Sequence, residues 1–191
     1  SETKIKLKKK IIFKNFENNI LIILSVMNVL KLNLKKNHKK LESLRPLPGR
    51  GEILQIKKRA KKFFLIDESY NSNPNSLKMA ILDLNKEKYK LNGKILVIGD
   101  MLELGKFSKK MHKEIVPIIS NIQPKLVITV GEFSRVISES LPSNISSFHF
   151  KKVFHVYNKL LTKIDNNDIV MVKGSNSTKL SMLIKFLSQG M

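Results

Sequence analysis

Phe63-Phe64-Leu65-Ile66-Asp67-Glu68-Ser69-Tyr70-Asn71-Ser72-Asn73-Pro74 is the stretch on which the fold turns. An apolar run ends abruptly in an acidic pair. A Ser/Asn/Pro turn follows and leads into Asn75-Ser76-Leu77-Lys78-Met79-Ala80-Ile81-Leu82, whose apolar positions recur at helical spacing. This is a strand, a polar turn and a helix in immediate succession. In open α/β sheets ligands gather at the carboxyl ends of strands, and the free N–H groups of a helix start attract anions. Carboxylate, hydroxyl and amide side chains at such a point suit the ribose and phosphates of a nucleotide.

The same rhythm continues outward. Strands are expected at 52–56, 63–67, 94–99, 125–131, 147–150 and 168–174, with 57–62 as the turn between the first two. Helices are expected at about 75–89, 107–121, 133–140, 153–164 and 177–188. Lys94-Ile95-Leu96-Val97-Ile98-Gly99 and Lys125-Leu126-Val127-Ile128-Thr129-Val130-Gly131 are apolar on both faces, the mark of a parallel sheet covered on both sides. The expected fold class is α/β, a Rossmann-like, mostly parallel sheet with helices on both faces. Upstream, a strand at Lys10 to Phe13 and helices at 17–32 and 34–44 are expected. Between them and the sheet lies Arg45-Pro46-Leu47-Pro48-Gly49-Arg50-Gly51, which bars helix continuation and marks a boundary near residue 45.

Two further strand ends carry polar residues: Gly99-Asp100-Met101-Leu102-Glu103-Leu104-Gly105, and Val172-Lys173-Gly174-Ser175-Asn176-Ser177-Thr178. In a parallel sheet all three ends share one edge, so residues distant in sequence converge on one crevice. Lys173 can neutralise a carboxylate or phosphate, and Ser175 or Ser177 can cap a helix or hold an anion. Asp100 and Glu103 are candidates for a metal or for orienting a ligand, or serve as helix-start charge and solvated loop. Arg50, held by Pro and Gly, offers a planar, permanent charge suited to a phosphate. His38, His112, His149 and His155 lack metal-ligand spacing and are read as surface or packing residues. Neither a dinucleotide Gly fingerprint nor a Walker phosphate loop is present in the sequence.

The formal net charge is +21, carried almost wholly by Lys, with Arg only at 45, 50, 59 and 135. Lys, Asn and Ile share A/T-rich codons, so base bias accounts for the charge, and a nucleic-acid partner is not expected. Cysteine is absent, which excludes disulfides and thiolate metal sites. No apolar run is long enough to span a membrane and the amino terminus shows no signal pattern; a cytoplasmic location is expected.

Taken together, residues 67–74, 99–105, 172–175 and 48–50 resemble, in order and spacing, four motifs of the Mur ligases of peptidoglycan synthesis: Asp-Asp-Ser-Tyr-Asn-Ala-Asn-Pro, Gly-Asp-Met-x-Glu-Leu-Gly, Val-Lys-Gly-Ser and Pro-Gly-Arg. The resemblance implies that residues 46–191 are the family's carboxy-terminal domain and 1–45 the end of its central ATPase domain. It implies an ATP- and magnesium-dependent ligase that activates a UDP-N-acetylmuramoyl-tripeptide as an acyl phosphate and couples it to D-alanyl-D-alanine. It also implies missing amino-terminal and central domains that hold the phosphate loop and most magnesium ligands, without which this portion is inactive. Carried over residue by residue, Asn19, Arg50, Asp67, Glu68, Tyr70, Asn73 and Pro74 fall on the nucleotide side. Lys173, Gly174, Ser175 and Asn176 face the dipeptide, and Arg50 and Lys173 are the catalytic candidates. The sequence departs from the family pattern with Asn15 for His, Glu68 for Asp, Asn176 for Arg and Leu180-Ser181 for Met-Glu. Two other readings stay open: a non-catalytic basic module for nucleic acid or anions, and another ligase of the superfamily, of the folate polyglutamylating kind.

Overall fold

The computed structural model describes residues 16–33, 36–37, 40–41, 44–85 and 92–189. Its contacts divide the chain into two compact units, Ser1–Leu47 and Pro48–Met191. The expected strand at Lys10 to Phe13, Asn15 and His38 lie outside the described residues.

In the first unit, helix α1 spans Phe16–Val29. Ile20, Met27 and Leu41 are buried, while Leu21, Ile22, Val26, Val29 and Leu30 are exposed. Of the second expected helix, the described residues 36–37 and 40–41 are helical.

The second unit is built on one six-stranded sheet in the order β1-β2-β6-β3-β4-β5. The strands are β1 Glu52–Lys58, β2 Lys61–Glu68, β3 Lys94–Gly99, β4 Leu126–Val130, β5 Ser147–Phe150 and β6 Ile169–Lys173. β1 runs antiparallel to β2 and every other neighbouring pair is parallel. The helices are α2 Pro74–Asp83, α3 Ser108–Lys113, α4 Val116–Ile122, α5 Arg135–Ser140, α6 Val156–Lys163 and α7 Leu180–Ser188. Alternation along the strands splits the core in two. Ile95, Val97, Val170 and Val172 pack with Leu160 of α6 and with Leu180, Leu183 and Leu187 of α7. Leu96, Ile98, Ile169 and Met171 pack on the other face with Leu77 and Ile81 of α2, Ile119 and Ile122 of α4, and Ile137 of α5.

Two expectations need correction. The turn expected at 57–62 contracts to Arg59 and Ala60, both with positive φ (47° and 61°), and Lys57, Lys58, Lys61 and Lys62 belong to the paired strands. Two central residues in the left-handed region make the tight hairpin whose twist matches its strands. The single helix expected at 107–121 is two, α3 and α4, with Glu114 and Ile115 between them. Pro117 has no N–H to give, and its ring would strike the carbonyl of residue 113 in a continuous helix.

Candidate functional site

The parallel registers set the strand ends side by side. Glu68 lies opposite Lys173, Lys173 opposite Ile98, and Gly99 opposite Val130. The turns after β2, β3 and β6 therefore leave the sheet along one rim. They enclose a cleft of about 660 Å³, lined by 70–73 from the first turn, 102–104 from the second and 175–177 from the third.

The first turn is organised by Asp67, which is buried. Its Oδ2 accepts from the Gly49 amide (3.0 Å), and its Oδ1 from the amide (3.1 Å) and hydroxyl (2.7 Å) of Ser69. Its backbone carbonyl accepts from the Gly51 amide at 2.7 Å. The segment 48–51 is thus seated on the end of β2 and is no free linker. Gly49 has φ of +77°, and a Cβ there would lie 2.7 Å from the Cβ of Tyr70, so glycine is required on both counts. This seating stacks the Arg50 guanidinium on Tyr70, with Cζ 4.2 Å from the ring centroid. Stacking orients the planar cation and leaves its edge N–H groups for an anion. Asn73 is the N-cap of α2: its Oδ1 accepts from the Ser76 amide (2.8 Å), and the Ser76 Oγ accepts in return from the Asn73 amide (3.0 Å). Pro74, at the first helical turn, lacks the N–H that would otherwise be spare there.

Lys173 is buried at the end of β6. Its Nζ donates to Glu68 Oε2 (2.9 Å) and to the Asn71 carbonyl (3.0 Å). It therefore braces the first turn, joining β6 to β2 below the cleft. Beside it, Gly99 and Gly174 let two backbones touch: a Cβ on Gly174 would sit 2.9 Å from the Gly99 Cα and 2.8 Å from Leu180 Cδ1. Ser175 precedes the short 3₁₀ turn Asn176–Thr178, but its side chain does not cap it. Its Oγ accepts from the Leu102 amide (3.0 Å) and its amide donates to the Asp100 carbonyl (3.0 Å). The second and third turns are thereby stapled together. Asn176 is exposed on the cleft wall.

Asp100 is buried, with Oδ2 accepting from the Glu132 amide (2.8 Å) and Oδ1 from the Ser134 amide (2.7 Å). It shapes the turn after β4, and the residue lines the inner end of a second cleft. That cleft, of about 460 Å³, lies where Leu102, which also lines the first cleft, meets Lys151, Lys152 and Lys179. Among the described residues no group of three or more His, Cys, Asp or Glu side chains could hold a metal ion. With Asp67 and Asp100 engaged by internal donors, these residues do not fit a magnesium site of their own.

The family described as "Mur ligase, glutamate ligase domain" matches residues 49–176. The chain belongs to the Mur ligase family. Among its relatives is the UDP-N-acetylmuramoyl-tripeptide--D-alanyl-D-alanine ligase of Rickettsia prowazekii, 29% identical over 173 residues, covering 91% of this chain and 37% of the relative. The enzyme of the same name from Bacillus subtilis is 32% identical over 143 residues, covering 72% of this chain and 30% of the relative. This Mur ligase chain thus spans about a third of the length of the curated relatives it matches. Among solved structures, the MurF ligase of Thermotoga maritima in complex with ADP shares the fold with a TM-score of 0.70 at 23% identity, covering 88% of this chain and 36% of that one.

Of the residues singled out in this Mur ligase sequence, the rim brings together Arg50, Asp67, Glu68, Tyr70, Asn73, Pro74, Lys173, Gly174, Ser175 and Asn176. Asn19 belongs to the first unit, where it is exposed on α1. Asp67 and Lys173 face inward and build the cleft; they are not presented to it. Sequence reasoning missed Asp100 as the organiser of the β4 turn, and it missed His112, whose partners sit eleven residues away at Met101 and one turn away at Ser108. Only the Asp100 position, immediately after a buried strand, carried a signal.

Proposed function

We propose that this chain is the carboxy-terminal portion of an ATP-dependent ligase that joins D-alanyl-D-alanine to a UDP-N-acetylmuramoyl-tripeptide. Residues 46–191 are the carboxy-terminal domain and 1–45 the end of the central ATPase domain. The phosphate loop and most of the magnesium ligands belong to the part of the enzyme upstream. The observation that carries the reading is the convergence of the three turns on one cleft, with Arg50 stacked on Tyr70 at its border.

In this reaction the tripeptide carboxylate attacks the terminal phosphorus of ATP, giving an acyl phosphate and ADP. The neutral amine of the dipeptide then attacks the acyl carbon, an amide bond forms as the nitrogen gives up a proton to solvent, and phosphate leaves with the C–O electron pair. This chain supplies position and charge. Arg50 presents N–H donors to phosphate oxygens. Tyr70, Asn73 and Pro74 form the nucleotide wall. Ser175 and Asn176 face the dipeptide, and Lys173 with Glu68 holds the turn that carries the wall. The enzyme works in the cytoplasm, where ATP and the nucleotide sugar are found.

The test is phosphate release by the complete ligase with ATP, the UDP-sugar tripeptide and D-alanyl-D-alanine. Release should require the dipeptide. Arg50→Ala should weaken nucleotide binding by about tenfold to a hundredfold, the loss of one or two charge-assisted hydrogen bonds. Dipeptide-independent release, or release only with glutamate and a folate, would overturn the assignment. Tight, salt-steep binding of RNA without ligase activity would point to the basic-module reading instead.

A further inference from the structure

His112 is fully buried on α3, yet it makes two hydrogen bonds that fix its chemistry. Nδ1 lies 2.7 Å from the Ser108 carbonyl oxygen, which can only accept, so Nδ1 carries the proton. Nε2 lies 2.9 Å from the Met101 backbone nitrogen, an N–H donor, so Nε2 is bare. The ring must be the neutral Nδ1–H tautomer. The Phe133 ring packs beside it with centroids 6.2 Å apart.

Met101 stands between two stapled residues. Asp100 before it holds the β4 turn through its carboxylate and the Ser175 amide through its carbonyl. Leu102 after it donates to Ser175 Oγ and lines both clefts. Between β3 and the 3₁₀ turn Gly105–Phe107 the path is irregular, with positive φ at Glu103 (63°), so no helix or strand ladder defines residues 100–104. Without the imidazole, the fully buried Met101 would leave an amide with no partner, which costs about 1–3 kcal/mol in a protein interior.

We propose that neutral His112 is a positioning residue that sets the Leu102 ridge shared by the two clefts, and that its protonation releases that ridge. A proton on Nε2 would face the Met101 N–H, donor against donor. Burial holds the imidazole below its ordinary value of 6.5, opposed by the Ser108 carbonyl and by Asp100, the charged group that acts on the ring. The release therefore belongs to acidic pH. The inference rests on the ligase reading only for what the ridge serves.

The test is NMR on the 191-residue chain without ligand, so it fails or holds separately from the substrate assignment. Imidazole ¹⁵N shifts should report the Nδ1–H tautomer at neutral pH. The Met101 amide should be protected from exchange, and its protection should fall about tenfold or more as the ring takes up a proton, together with shift changes at Leu102 and Ser175. His112→Gln places an amide oxygen near the Nε2 position and cannot be protonated; it should keep the protection and abolish its pH dependence. His112→Asn, too short to reach Met101, should lose the protection at all pH values. Equal Met101 protection in wild type and His112→Asn, or a protonated ring with protection intact in the unaltered chain, would overturn the proposal.

Discussion

Asp67 stabilises the site from beneath. Three donors converge on its carboxylate, and Asp67→Ala would strand the Gly49 amide and the Ser69 donors in a buried setting. Hydrogen bonds to a charged group contribute about 1.5–3 kcal/mol each and are not additive, so a loss of roughly 3 kcal/mol in urea unfolding is expected, with Asp67→Asn milder. Lys173→Met would remove a buried ammonium from Glu68 and the Asn71 carbonyl and should cost about 3–5 kcal/mol, while Lys173→Met with Glu68→Gln should recover a good part of it in the same assay. The histidines set the acid side of stability. Burial lowers the folded-state value of His112, and burial with the Arg135 charge lowers that of His149. The unfolded chain therefore binds protons more readily, so this contribution is complete above about 6.5 and is lost as pH falls below it. Melting followed across pH 5–8 should show the decline in wild type and a shallower one in His112→Gln. These roles were only half legible in the sequence. A carboxylate after a strand looks the same whether it meets a ligand, as read for Asp67 and Asp100, or its own backbone amides, as found. Ser69 is a near neighbour of Asp67, but the Gly49 amide on Asp67 and the Glu132 and Ser134 amides on Asp100 come from loops distant in sequence, which no local pattern encodes.

At the level of elements, the continuous apolar runs of β3, β4 and β6 could be read directly, because strands covered on both faces need no polar alternation. The β1–β2 hairpin could not, because four lysines flanking Arg59 and Ala60 look like a solvated loop. Two of them are tied down by the fold: Lys58 donates to the Phe186 and Gln189 carbonyls at the end of α7, and Lys61 to the Ile164 carbonyl. Arg59 and Ala60 pay the usual steric cost of left-handed backbone, about 1–2 kcal/mol per residue. Replacing the pair by Asn-Gly should therefore raise the melting temperature by a few degrees, measured by calorimetry. The break between α3 and α4 was encoded by Pro117, whose tolerance in a first helical turn hid the start of a second helix inside an apolar pattern.

For the molecule as a whole, a net charge of +21 on 191 residues means that like charges repel across the folded surface. Added salt screens that repulsion over about 8–10 Å at near-physiological strength. Melting temperature should therefore rise as sodium chloride is increased from about 20 mM to 300 mM, and a fall would mean that attractive ion pairs dominate. The placement of β1 and β5 at the borders of the sheet has a consequence of another kind. Each border strand leaves one row of amides and carbonyls that could recruit a stranger's backbone. β5 has only four residues, too few for a firm template, and β1 ends in Lys57 and Lys58, whose charges any incoming copy would also bring. A chain this rich in isoleucine and leucine is thereby guarded against growing into a fibril, edge by edge.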